Sequence, residues 1–82
     1  MTWRVTRSPH TLDLIEALPL DGQLALLDLI EALEVDPYTA TEPYGIDDKT
    51  VRQAGFGGHG LAVLYVNTYT ERITILSLIW TG

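Results

Sequence analysis

The segment of this 82-residue sequence that most resembles a ligand-binding motif is 55–60, Gly-Phe-Gly-Gly-His-Gly. Its glycines have the spacing of a dinucleotide-binding loop. Such a loop binds a pyrophosphate only where a strand precedes it and a helix follows it, because the helix N-terminus faces the phosphates. Residues 61–66 are continuously apolar and predict a strand instead. We therefore interpret the run as a turn between antiparallel strands, in which glycine adopts positive φ without strain.

His59 is the residue of this run that suits proton transfer, since histidine is the side chain whose unperturbed pKa lies nearest neutrality. It has no evident partner nearby in sequence, so it is either a general acid or base or an exposed loop histidine. His10, in the first turn of a predicted helix, is interpreted as a solvated position. The absence of cysteine excludes thiolate nucleophiles and cysteine metal sites. We predict no cofactor and no metal.

The charges are unevenly distributed along the chain. Residues 8–48 carry ten acids and no Lys or Arg, whereas the five basic residues lie outside that segment. These are Arg4, Arg7, Lys49, Arg52 and Arg72. The net charge of −6 predicts weak or no binding to naked nucleic acid, because phosphate contacts require cations that displace counterions. We expect the basic residues to share one side of the molecule, opposite an acidic helical hairpin.

The first half of the chain predicts a strand and two helices. Residues 3–7 alternate as a half-buried strand does. Ser8 and Pro9 are favoured at the N-cap and first position of a helix, which we place over 10–18, and Pro19 ends it. Asp21 is the predicted N-cap of a second helix of about a dozen residues, whose apolar stripe is Leu26, Leu29, Ile30 and Leu33. Residues 38–48 predict a loop.

The second half predicts three antiparallel strands, over 50–54, 61–66 and 72–80, with a short turn at 67–70. The predicted fold class is α+β, in which an N-terminal strand, an α-helical hairpin and three antiparallel strands form one mainly antiparallel sheet packed on the helices. We predict a single domain over 1–82. The sequence has no apolar run long enough to span a membrane and no signal-peptide pattern at its start, so we expect a cytoplasmic protein.

Several local motifs, taken in this order, resemble the RelE/ParE superfamily of type II toxin–antitoxin toxins. An opening strand leads into a Ser-Pro cap, a Leu-Pro break separates the helices, and Leu-x-x-Asp-Pro ends the second helix. The strand Gly60-Leu-Ala-Val-Leu-Tyr65 resembles the family's Gly-x-Tyr-Arg-Val-x-Tyr, and an aliphatic strand closes the chain. The other three motifs stand at 3–9, 18–19 and 33–37. The resemblance covers essentially the whole chain.

The resemblance implies candidate ribonuclease residues, but it also shows that some basic residues of the family's active site are missing here. Ribonuclease members of the family cleave messenger RNA on the ribosome with Arg, Lys and often Tyr or His, without a metal. Lys49 and Arg52 fall near the family's basic strand positions and, with His59, are the catalytic candidates. Ala62 stands where the family strand carries arginine, and the final strand runs into 80–82, Trp-Thr-Gly, rather than into basic residues.

Three functions remain open. The first is a toxin-type protein of a toxin–antitoxin system that binds an antitoxin-like segment, acts through a protein such as DNA gyrase, and is degenerate as a ribonuclease. The second is a ribosome-dependent mRNA endonuclease using Lys49, Arg52 and His59. The third is a non-toxic interaction protein of the same fold, which would form a homodimer through its apolar sheet. The missing basic residues make us lean against an enzyme.

Overall fold

The computed structural model describes residues 2–45 and 50–82 and confirms the predicted α+β fold class. Within these residues, strand β1 precedes three helices, and four further strands follow. In chain order the elements are β1 (Arg4–Val5), α1 (Pro9–Glu16), α2 (Leu20–Val35), α3 (Pro37–Ala40), β2 (Glu42–Pro43), β3 (Val51–Phe56), β4 (Gly60–Asn67) and β5 (Arg72–Trp80).

The strands form one sheet in the order β1-β5-β4-β3-β2. The central β3–β4 and β4–β5 pairs are antiparallel, as predicted, and β1 is parallel to β5. A bulge between Val63 and Leu64 leaves Leu76 of β5 outside the regular register. The sheet is therefore mixed, with a single parallel pair at one edge of the strands that the structure describes.

The helix boundaries follow from the two prolines. Ser8 caps α1 as predicted, because its Oγ accepts a hydrogen bond from the backbone N–H of Thr11 at 3.3 Å. The helix ends at Glu16 rather than at residue 18. Helix α2 begins at Leu20, with Pro19 as its N-cap, so the prediction that Asp21 is the cap is wrong. Pro19 is extended, with φ −65° and ψ 166°, which places Asp21 inside the first turn instead.

The core lies between the helices and one face of the sheet. The predicted apolar stripe of α2 is confirmed, since Leu26, Leu29, Ile30 and Leu33 are all buried. The strands contribute Val5, Ala54, Phe56, Ala62, Leu64, Val66, Ile73 and Ile75. Because side chains alternate along a strand, these residues share one face, on which α2 packs. We call the opposite face of the sheet the open face.

Part of the predicted loop 38–48 is ordered into elements. Residues 37–40 form α3, and β2 pairs with β3 through Glu42↔Gln53 and Pro43↔Arg52. Proline is tolerated there because β2 is an edge strand. Among the described residues, no helix combines the length and the apolarity needed to cross a bilayer.

Candidate functional site

Residues 57–59 of the glycine run form the turn between β3 and β4, whereas Gly55, Phe56 and Gly60 lie in the strands themselves. Gly57 and Gly58 have positive φ values of 64° and 76°, and a strand follows the run, as predicted. A Cβ on Gly57 would lie 2.7 Å from the Cβ of Ala25, and a Cβ on Gly60 would lie 2.5 Å from the Phe56 ring. The glycines therefore allow a tight turn and close packing, without the helix that a dinucleotide site requires.

His59 is exposed in this turn and lies against the end of β5. Its ring makes an edge contact with Trp80, with centroids 5.8 Å apart. Its carbonyl oxygen accepts hydrogen bonds from the backbone N–H of Thr81 at 3.0 Å and from the Thr81 hydroxyl at 2.9 Å. With Asp21 and Ala25 among the other lining residues, His59 and Trp80 border an open pocket of about 460 Å³.

Arg52 is buried on the helix-facing side of β3, in line with Ala54 and Phe56. Its Nε donates to the Thr41 hydroxyl, and its Nη2 donates to the carbonyl oxygens of Thr41 at 3.1 Å and Tyr38 at 3.5 Å. The guanidinium carbon also lies 5.1 Å from the centroid of the Tyr38 ring. The side chain thus joins the segment after α2 to the sheet.

The structure does not bring Arg52 and His59 together. Arg52 lies near the start of β3, whereas His59 follows the far end of that strand. The strand between Arg52 and Phe56 spans about 13 Å at ~3.3 Å per residue. Hydrogen-bond reach to one phosphate is far shorter than this. Lys49, the third catalytic candidate, lies outside the described residues.

The open face carries three rows of uncharged side chains across the central strands. The residues of each row are cross-strand partners. The rows are Gly55–Leu61–Ile79, Gln53–Val63–Ser77 and Val51–Tyr65–Thr74. Leu76, Tyr65 and Ile79 are the large apolar or aromatic side chains most exposed on these strands. This surface suits contact with a protein better than contact with an RNA backbone.

Ala62 is fully buried on the helix-facing side, between Ala54 and Leu78. An arginine at this position would point into the core, so the alanine alone does not remove a cation from the open face. The uncharged rows on that face are the more direct observation.

The basic residues do not all share one side of the sheet, so that prediction is wrong. Arg52 is buried against α3, whereas Arg4 and Arg72 are exposed neighbours on β1 and β5. The physical reason is that Arg52 finds oxygen acceptors in the segment at 38–41, which compensate for its burial.

Sequence reasoning missed a second surface, on the outer side of α2. Leu20, Leu24 and Leu27 are exposed by 68%, 55% and 58% of their areas. Their spacing of i, i+4 and i+7 was visible in the sequence and defines one helix face, distinct from the buried stripe. We call these residues the leucine row.

No protein-family model and no curated protein matches this sequence. A solved structure does: a chain of the toxin–antitoxin complex RelBE2 from Mycobacterium tuberculosis superimposes with a TM-score of 0.81. The match covers 99% of this chain and 100% of the other, at 13% sequence identity. The fold is therefore RelE-like.

Proposed function

We propose that this RelE-like chain is the toxin-type component of a toxin–antitoxin system, that it acts in the cytoplasm by binding a protein, and that it is degenerate as a ribonuclease. The three uncharged rows at the centre of the open face carry the proposal. Arg4 and Arg72 lie beyond these rows, at the β1 edge. RNA cleavage requires a base, an acid and cations around the phosphate in the transition state. The three central rows offer hydroxyl and amide groups but no charge.

The leucine row supports a helical partner. An exposed apolar row at helical spacing fits an amphipathic helix, because the side chains of the partner pack between the leucines. Asp21, Asp28 and Glu31 are exposed on the same helix. These carboxylates would repel those of a second copy of α2, so they disfavour self-association through this face. They favour a partner helix with Lys or Arg beside its apolar stripe. We propose that an antitoxin-like segment with this pattern binds here.

Co-expression with the adjacent reading frame tests the partner. We expect the two products to purify together in fixed stoichiometry. Leu24→Ser should abolish co-purification. Leu12→Ser should not, because Leu12 is a similarly exposed leucine that lies on α1, outside the leucine row. Both variants should keep the wild-type melting temperature within a few degrees, since neither residue is in the core. A chain that never purifies with the neighbouring product, or that loses it equally in both variants, would overturn the proposed site.

Induced expression separates the remaining alternatives. A toxin acting through a protein should arrest growth while a reporter mRNA stays intact, and co-expression of the partner should relieve the arrest. Cleavage of the reporter on ribosomes would favour the endonuclease instead. Unaffected growth would favour a non-toxic interaction protein that keeps the fold.

A further inference from the structure

A shallow depression of about 220 Å³ lies at the β1 edge of the sheet. It is lined by Arg4, Val5, Arg7, Glu34 and Arg72. The parallel pairing of β1 with β5 sets Arg4 beside Arg72, and Arg7 follows two residues after β1. Residues that are far apart in the sequence therefore line one depression.

The three guanidinium groups have no protein partner among the residues that the structure describes. Within residues 2–45 and 50–82, Arg4, Arg7 and Arg72 form no side-chain hydrogen bond or ion pair, and all three are exposed. Like charges at neighbouring positions of adjacent strands repel each other. An anion between them would replace this repulsion with attraction.

Glu34 does not neutralise the cluster. Its Oε2 accepts a hydrogen bond from the backbone N–H of Val5 at 3.1 Å, which holds the carboxylate at the β1 backbone. Three arginines and one glutamate give the lining a formal charge of +2, from +3 and −1. In a protein with a net charge of −6, the lining has the opposite sign, and the local charge stays positive, at +1, when Glu71 beside Arg72 is added to the +2 of the lining.

We propose that this depression binds a phosphate group as its dianion. A phosphate monoester carries a charge of about −1.5 to −2 near pH 7, which matches the lining charge. The guanidinium fork matches phosphate oxygens with paired hydrogen bonds. The volume of about 220 Å³ accommodates a phosphate group with part of its hydration.

The site is independent of the proposed partner surface. The depression lies at β1 and β5, whereas the leucine row lies on the outer side of α2. Loss of one binding activity therefore does not predict loss of the other. The phosphate comes either from free inorganic phosphate or from the terminal phosphate of a nucleotide, and the ligands of the experiment distinguish these sources.

The test is an NMR titration of the full chain with inorganic phosphate at constant ionic strength. We expect saturable shifts confined to the amides of residues 4–7 and 72–73 and to the arginine side chains, with a Kd on the order of 1 mM. Acetate should bind about tenfold more weakly, because it carries one charge. Adenosine 5′-monophosphate binding more tightly than phosphate assigns a nucleotide source, equal or weaker binding assigns free phosphate, and adenosine should cause no shift at this site.

Three variants complete the test. Arg7→Gln should weaken phosphate binding about tenfold, the effect of losing one charge-assisted contact. Glu34→Gln keeps an oxygen for the Val5 N–H and should tighten binding about threefold. Glu31→Gln makes the same change on the same helix outside the depression and should have little effect. Absence of a saturable shift, or equal tightening by Glu34→Gln and Glu31→Gln, would overturn the proposal.

Discussion

Arg52 and Thr41 form one buried unit, in which a single guanidinium donates to both the hydroxyl and the carbonyl oxygen of Thr41. Thr41 in turn donates its hydroxyl hydrogen to the carbonyl oxygen of Pro37 at 2.6 Å. This chain of hydrogen bonds fixes α3 and β2 against β3.

Removal of this guanidinium should destabilise the protein. We expect Arg52→Ala to lower the free energy of unfolding by about 2–4 kcal/mol, since it removes hydrogen bonds from buried acceptors and leaves a cavity. Urea denaturation measures the change. Arg72→Ala, on an exposed arginine, should cost no more than about 0.5 kcal/mol, and equal costs for the two variants would refute the structural role of Arg52.

Gly57 and Gly58 should respond differently to alanine. Both have positive φ, so each substitution carries a conformational cost of roughly 1–2 kcal/mol. A Cβ on Gly57 would also clash with Ala25 at 2.7 Å, whereas a Cβ on Gly58 would meet nothing within 4 Å. Gly57→Ala should therefore lower the melting temperature clearly more than Gly58→Ala. Equal decreases in melting temperature for the two variants would show that α2 does not pack tightly against the turn.

His59→Ala tests the ribonuclease alternative better than Arg52→Ala. The Arg52 variant is expected to be destabilised, and an unfolded protein loses activity whether or not the residue is catalytic. His59 is exposed, so its removal should leave the melting temperature nearly unchanged. Under the proposed function, wild type and His59→Ala should arrest growth equally and leave mRNA intact. Ribosome-dependent cleavage by wild type that disappears in His59→Ala would instead assign a catalytic role to this histidine.

Binding to naked RNA should be weak and should fade quickly with salt. For a protein that neutralises two or three phosphates of a single strand, log affinity falls against log salt with a slope of about −1.4 to −2.1. Filter binding at low and physiological salt measures this slope, and a gel run in parallel reports cleavage. Tight binding that survives physiological salt, or cleavage without ribosomes, would contradict the proposed loss of ribonuclease function.

Sequence patterns were sufficient to predict local structure at positions where the residue type has a single physical role. Ser8 before a proline predicted a helix start, and the spacing of Leu26, Ile30 and Leu33 predicted the buried side of α2. The order of strands and helices followed in the same way. Glycine in the β3–β4 turn predicted the positive φ that Gly57 adopts.

The candidate site was harder to predict, because the alternation in β3 is ambiguous. Either Val51, Gln53 and Gly55 or the intervening residues could face the core, and the second set includes Arg52. The outcome depends on acceptors at Tyr38 and Thr41, in a segment whose composition predicted a loop. Tertiary partners of this kind leave no periodic signal in the sequence.

The pairing of β1 with β5 also has a consequence for the time course of folding. Thr6 donates its backbone N–H to the carbonyl of Ile73 at 2.7 Å, so β1 cannot join the sheet until residue 73 has left the ribosome. Closing so long a loop is entropically costly, whereas the β3–β4 and β4–β5 hairpins close locally. The N-terminal strand should therefore dock last during synthesis and exchange its amide hydrogens first in the folded protein, which places the Arg4–Arg72 edge in the least protected part of the sheet.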